Sequence, residues 1–162
     1  MISQSDKKGN ETMVQKAMKG KCVGPDEGKL YKRANDIFVK VTAEDTGGVY
    51  EVCEERSPSG FSSRKHRHTQ NHETFYVLEG SATFVLGDDT FEGTQGSLFH
   101  IPAGVPHQII AGDAGIRMLL IYSPGKIEAM FKGMTALPPE QQAEFKTGKK
   151  VAAKHDTIWV DE

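Results

Sequence analysis

The chain has 162 residues, 37% of them hydrophobic and 26% charged, which suits one folded domain with a sizeable core rather than a disordered chain. A formal net charge of −2, from 20 basic and 22 acidic residues, gives no electrostatic case for nucleic acid or for an anionic membrane surface as partner. No apolar run approaches the ~20 residues that cross a bilayer. The first twenty residues are polar, carry several lysines and lack the apolar core of a secretory signal, so a cytoplasmic location is expected. Cys22 and Cys53 form no CxxC motif and are expected to be reduced.

In chain order, residues 1–21 read as a flexible or partly helical arm. Residues 22–123 are punctuated by glycine and proline, from Gly24-Pro25 and Gly47-Gly48 to Pro102, Gly104 and Gly112. Between these breaks lie short segments rich in β-branched and aromatic residues: Ile37–Thr42, Val49–Glu55, Thr74–Leu78, Ala82–Leu86, Ser97–Ile101, Gln108–Ala111 and Arg117–Tyr122. Many short strands with turn residues between them predict an all-β sandwich or barrel. Leu86-Gly87-Asp88 and Asp113-Ala114-Gly115 suit tight hairpin connections. After Ser123-Pro124-Gly125 the period changes. Ile127, Met130, Phe131 and Met134 make one apolar helical face, expected to pack on the outside of the barrel or across a dimer contact. Pro138-Pro139 breaks that helix, Glu140–Lys149 reads as a second one, and Thr157–Val160 as a final strand or strap. Residues 124–162 are thus expected to form a helical C-terminal extension.

The chemistry concentrates in 65–107. His66 and His68 are two apart, so on a strand both imidazoles share one face. Glu73 follows a turn-like stretch, and His107 follows the loop Pro102–Pro106. Three imidazoles and one carboxylate on rigid strands suit Mn, Fe, Co, Ni, Cu or Zn without choosing among them. Taken singly each residue has an ordinary explanation, as surface histidine, solvated charge or plain turn. His72 is a competing donor beside Glu73, and adjacent strand residues face opposite ways.

Gly60, His66, His68, Glu73 and Gly80, followed by Gly96, Pro102, Gly104 and His107, stand in the order and spacing of two motifs. This pattern resembles the signature of the cupin superfamily over about residues 22–132. The one departure is Ala111, where the second motif often carries Asn. The resemblance implies a double-stranded β-helix, or jelly-roll, here with a short C-terminal helical cap. It implies one divalent transition metal on His66, His68, Glu73 and His107, and selects Glu73 over His72. Thr46-Gly47-Gly48, the run His72–Gly80, and Ser123–Glu128 followed by Phe131 resemble single-domain cupins related to quercetin dioxygenases. That likeness implies a quercetinase-like oxygenase using dioxygen. The positive charge of a divalent ion on three neutral imidazoles and one carboxylate, with apolar strand residues nearby, points to an aromatic or enolic small molecule, and Glu73, able to take a substrate hydroxyl proton, is the expected catalytic base. A non-catalytic metal- or ligand-binding cupin, or a cupin isomerase or lyase acting on a sugar or keto acid, are the alternatives. Family habit further implies a homodimer through a sheet edge or an exchanged terminal strand. No nucleic acid or membrane partner is expected.

Overall fold

The structure, a computed structural model, describes residues 19–142 and 144–160; most of the expected N-terminal arm, 1–21, lies outside them. Among the described residues nine strands form one antiparallel sheet that curls on itself: β1 (Lys29–Lys32), β2 (Asp36–Val41), β3 (Glu51–Ser57), β4 (His66–His68), β5 (His72–Leu86), β6 (Asp89–Thr94), β7 (Leu98–Ile101), β8 (His107–Ser123) and β9 (Thr157–Trp159). A single turn of helix, α1 (Ala43–Thr46), follows β2. The helices α2 (Glu128–Thr135), α3 (Pro139–Gln142) and α4 (Phe145–Ala153) lie between β8 and β9. The fold is the expected all-β jelly roll with a small helical C-terminal part. Among the described residues no helix is long and apolar enough to cross a membrane.

Two long strands hold the sheet together. β5 pairs with β7 and the second half of β8 along its first half, and with β6 and the first half of β8 along its second. The segments Thr74–Leu78 and Ala82–Leu86 are therefore one strand, as are Gln108–Ala111 and Arg117–Tyr122. Register shifts flank Gly80, and residues 112–115 have no partner in β5. Each irregularity moves the buried parity by one. Glu73, Phe75 and Val77 face inward before the break in β5, and Ala82 and Phe84 after it. His107, Ile109 and Ala111 face inward at the start of β8, and Met118, Leu120 and Tyr122 at its end. The bend requires glycine. A Cβ on Gly80, at φ +76°, would sit 2.2 Å from the carbonyl oxygen of Gly115. Asp113-Ala114-Gly115 thus forms a bulge inside β8 and not a hairpin, whereas Gly87-Asp88 does close the β5–β6 hairpin with Leu86 opposite Asp89.

The core runs from Ile37 and Val39 through Phe75, Val77, Phe84, Met118 and Leu120 into α2, with its Met130, Phe131 and Met134. Burial of side chains this size contributes about 1.5–3 kcal/mol each. The buried Glu51 carboxylate of β3 joins the barrel to α2. It accepts from the backbone N–H groups of Ile127 at 2.6 Å and Glu128 at 3.1 Å, groups that a helix start leaves without internal partners. The apolar face of α2 does not pack on the outside of the barrel: Met130, Phe131 and Met134 roof the internal cavity. The expected helix Glu140–Lys149 is two pieces, because Glu144 takes an extended conformation between α3 and α4. In α4, Gly148 is required by Trp159, whose ring would lie 2.5 Å from an added Cβ. The final segment forms β9, paired antiparallel with β4: His66 opposite Trp159, Arg67 opposite Ile158, His68 opposite Thr157.

Candidate metal centre

β4 is short, and its two histidines reach the same face, as their spacing of two requires. The turn at 69–71 leads into β5 with Glu73 buried and His72 exposed, the latter stacked on His100 at 5.9 Å. β8 begins with His107 directly opposite His66. One donor atom from each of His66, His68, Glu73 and His107 lies within 4.8 Å of all the others. His68, Glu73 and His107 are 1–3% exposed, while His66 is half-buried.

The imidazole orientations are fixed from behind. Nδ1 of His66 lies 2.7 Å from the Arg64 carbonyl, Nδ1 of His68 2.9 Å from that of Asp156, and Nδ1 of His107 3.0 Å from that of Val105. A carbonyl only accepts, so each Nδ1 carries the hydrogen and donates. The neutral ring then presents an Nε2 lone pair to the common point. Nε2 of His107 lies 2.9 Å from Oε2 of Glu73 but is not aligned for a hydrogen bond, and no other partner satisfies it. Nε2 of His68 approaches the same oxygen at 3.2 Å. Lone pairs facing a carboxylate at these distances repel unless a cation stands between them. A proton or a divalent ion meets that need, and the donor set suits a borderline first-row ion. The residues present therefore fit the expected metal.

Electrostatics sharpen the choice between those cations. Burial pushes His66 down to about 3, reinforced by His107 and His68, so it stays neutral. For His68 burial opposes the charged form, but the bond to Glu73 and that group's charge outweigh it and hold His68 above its ordinary range. Burial likewise opposes ionised Glu73, yet contacts with His107 and His68 hold it well below the carboxylate range. The metal-free cluster thus keeps a proton on His68 against an ionised Glu73. A raised histidine contributes stability below its unfolded value of about 6.5 and loses it as pH rises through the folded value. A depressed carboxylate contributes above about 4.3 and loses it as pH falls. The metal-free chain should therefore melt at a higher temperature near pH 6 than near pH 9. Metal affinity, measured by chelator competition, should instead fall as pH drops from about 8 toward 6, because the ion must displace that proton. An affinity flat across this range would refute the pairing of His68 with Glu73.

A cavity of about 230 Å³ opens beside the cluster, with His66 and Glu73 in its wall. Phe75, on the same face of β5 as Glu73, also lines it, whereas Val77 is core only. Three lining residues carried no recognisable signal in the sequence. Tyr122 is buried at its inner end, and burial together with the Glu73 charge pushes its hydroxyl well above its ordinary range. Glu55 of β3 is buried and accepts from Ser57 Oγ at 2.6 Å; burial raises it. Asn35 donates to Glu55 from the β1–β2 turn. Cys53 is a free thiol in the core and Cys22 a free thiol at the surface.

With this geometry in hand, the chain can be set beside known proteins. Residues 54–122 match the family model of the cupin domain. An uncharacterised protein of Streptomyces coelicolor is 28% identical over 100 residues, covering 57% of this chain and 93% of its own length. KdgF from Halomonas sp. has the same fold, with a TM-score of 0.61 over 68% of this chain and 98% of its own, at 14% identity. The polyketide cyclase RemF of Streptomyces resistomycificus is similar over 65% of this chain and 80% of its own, with a TM-score of 0.56 and 26% identity. The domain match spans β3 to β8, and the shared fold is that of the cupin jelly roll. α2, α3, α4 and β9 lie beyond the matched segment.

Proposed function

We propose that this cupin-fold protein is a metal-dependent enzyme of oxygenase type acting on a small aromatic or enolic compound. The observation that carries this reading is the 230 Å³ cavity beside the histidine–glutamate cluster, where Ile37, Phe75, Leu120, Met130, Phe131 and Met134 make an apolar flank facing polar groups that include Asn35, Glu55 and Tyr122. The apolar flank suits the face of a flat ring. A bound divalent ion would supply a positive centre that favours an anionic enolate or phenolate oxygen. The chain's own groups do the rest. His66, His68 and His107 fix the geometry through their carbonyl-bound Nδ1 atoms. Glu73 takes the proton that an enol or phenol gives up on ionising. Tyr122, neutral and beside Glu73, donates a hydrogen bond to oxygen, and the apolar wall keeps water from the reacting end.

Cyclisation without dioxygen is the second reading, favoured by the 26% identity to a polyketide cyclase. Both are tested by loading the chain anaerobically with Fe, Co, Ni, Mn, Cu or Zn and supplying flavonols and smaller enols, with oxygen uptake and product mass recorded. Metal-dependent oxygen consumption is expected. Metal-dependent turnover that proceeds equally well without oxygen would replace the oxygenase by the cyclase, and no turnover of any enol with any metal would sink both. A homodimer remains part of the proposal, to be read from the solution mass of the full chain.

A further inference from the structure

The cavity has two chemically different ends. The inner end holds Glu73 and Tyr122, both buried. Arg33, in the turn between β1 and β2, and Arg64, in the loop before β4, also line the cavity, and both reach solvent. Of the other arginines, Arg56 binds Glu54 and Asp26, and Arg117 binds Glu54 and Glu79, whereas Arg67 of β4 is exposed and does not border this cavity. No described carboxylate forms an ion pair with Arg33 or Arg64. Packing around Arg33 holds its guanidinium below the ordinary range, and the charge of Glu55 offsets only part of this. Arg64 is held in place by aromatic rings, its guanidinium carbon 5.2 Å from the centre of Phe145 and 5.8 Å from that of Trp159. A guanidinium supported on ring faces has lost much of its rotational freedom and keeps its N–H edge for a planar acceptor.

We propose that the ligand of this cavity carries a carboxylate at its outer end, received by Arg33 and Arg64, with its enolic end toward the histidine–glutamate cluster. The proposal rests on the enol-binding reading above and narrows its substrate class to small, flat enolic or phenolic acids. A cavity of 230 Å³ accommodates one such ring with its substituents. Planar carboxylate matches the fork of a guanidinium, and two cations that border one cavity with no ion pair to a described carboxylate also draw anions toward it.

Kojic acid and comenic acid make a matched pair of probes. Both present the same hydroxypyranone, and they differ in a hydroxymethyl against a carboxylate on the far side of the ring. Their affinities are measured by calorimetry on the full chain loaded with zinc, which is redox-inert, and on the chelator-treated chain, at two salt concentrations. Comenate is expected to bind about 10-fold or more tightly than kojic acid, the worth of one charge-assisted hydrogen-bonded contact, and to lose that advantage as salt rises. Arg33→Gln and Arg64→Gln should each remove several-fold of the advantage and leave kojic acid affinity unchanged, which also certifies that the cavity is intact. The carbonyl that orients His66 belongs to the Arg64 backbone and survives the substitution. Should Arg64→Gln disturb the Phe145–Trp159 stack and fail to fold, Arg33→Gln and the salt dependence decide alone. Equal affinities for the two probes, or an advantage untouched by the variants and by salt, would overturn the carboxylate site and leave the enol reading standing. Hydroxypyranones that bind no better with zinc than without it would overturn both.

Discussion

Replacing Glu73 by Gln should cost turnover about 10²–10⁴-fold, the usual worth of a positioned general base, while the chain still takes up metal with reduced affinity. The structure gives the reason for that split. Three imidazoles remain, each oriented by a backbone carbonyl that the substitution does not touch. The amide keeps one oxygen for the cluster but can neither balance the ion's charge nor accept a proton. The neighbouring His72→Gln should leave both properties nearly intact, because His72 faces outward onto His100. The comparison is made at equal metal loading, with metal content and rate determined for both variants on whichever enol is turned over. Parallel losses of metal and rate in Glu73→Gln would reduce Glu73 to a ligand. A severe loss in His72→Gln would mean that the proton passes along the outer face of β5.

The pairing of His66 with His68 was legible in the sequence because it is local. A two-residue spacing on a strand fixes the shared face of His66 and His68, whereas the turn alone leaves His72 and Glu73 in competition and the motif selects Glu73. His107 needed the second motif, since its pairing with His66 is a long-range event. Tyr122 shows where such reading stops. Counting alternate residues back from it to His107 puts the two on opposite faces, and only the bulge at 112–115 brings both inward. Glu55 was hidden differently. A glutamate beside Glu54 and Arg56 reads as one more surface charge, and its burial depends on β3 lying between β2 and β8. The sequence pattern of α2 showed that an apolar face existed but not what it covers. That depends on the Glu51 cap, which draws the helix start over the barrel.

The C-terminal extension carries the second large effect, and Asp156 is where it acts. Substitution by Ala should weaken metal binding about 10–100-fold, the range typical of groups that orient a ligand from behind. Asp156 is the one non-glycine residue with positive φ among those described, at 58°, a conformation that costs most side chains energy but that Asp and Asn tolerate. Its backbone carbonyl accepts from Nδ1 of His68 at 2.9 Å. Its carboxylate accepts from the backbone N–H groups of Thr69 at 2.9 Å, Gln70 at 3.0 Å and Asn71 at 2.9 Å, and from the Thr69 hydroxyl. Partial burial opposes the ionised form, but these donors outweigh it and hold the acid below its ordinary range. One residue of the extension thus clamps both the turn that joins His68 to Glu73 and the ring of His68 itself. The β4–β9 pairing holds the same strand from the side. Removing the carboxylate frees three turn N–H groups and lets the His68 ring and the Glu73 carboxylate drift apart. Asp156→Asn should fall between wild type and Asp156→Ala, because it keeps the backbone conformation and one acceptor oxygen. Chelator competition with zinc gives the affinities, and thermal melting of the metal-free chains separates loss of the clamp from loss of the fold. An Asp156→Ala chain that melts normally and binds zinc as tightly as wild type would show that β4 and the turn hold the site without the extension.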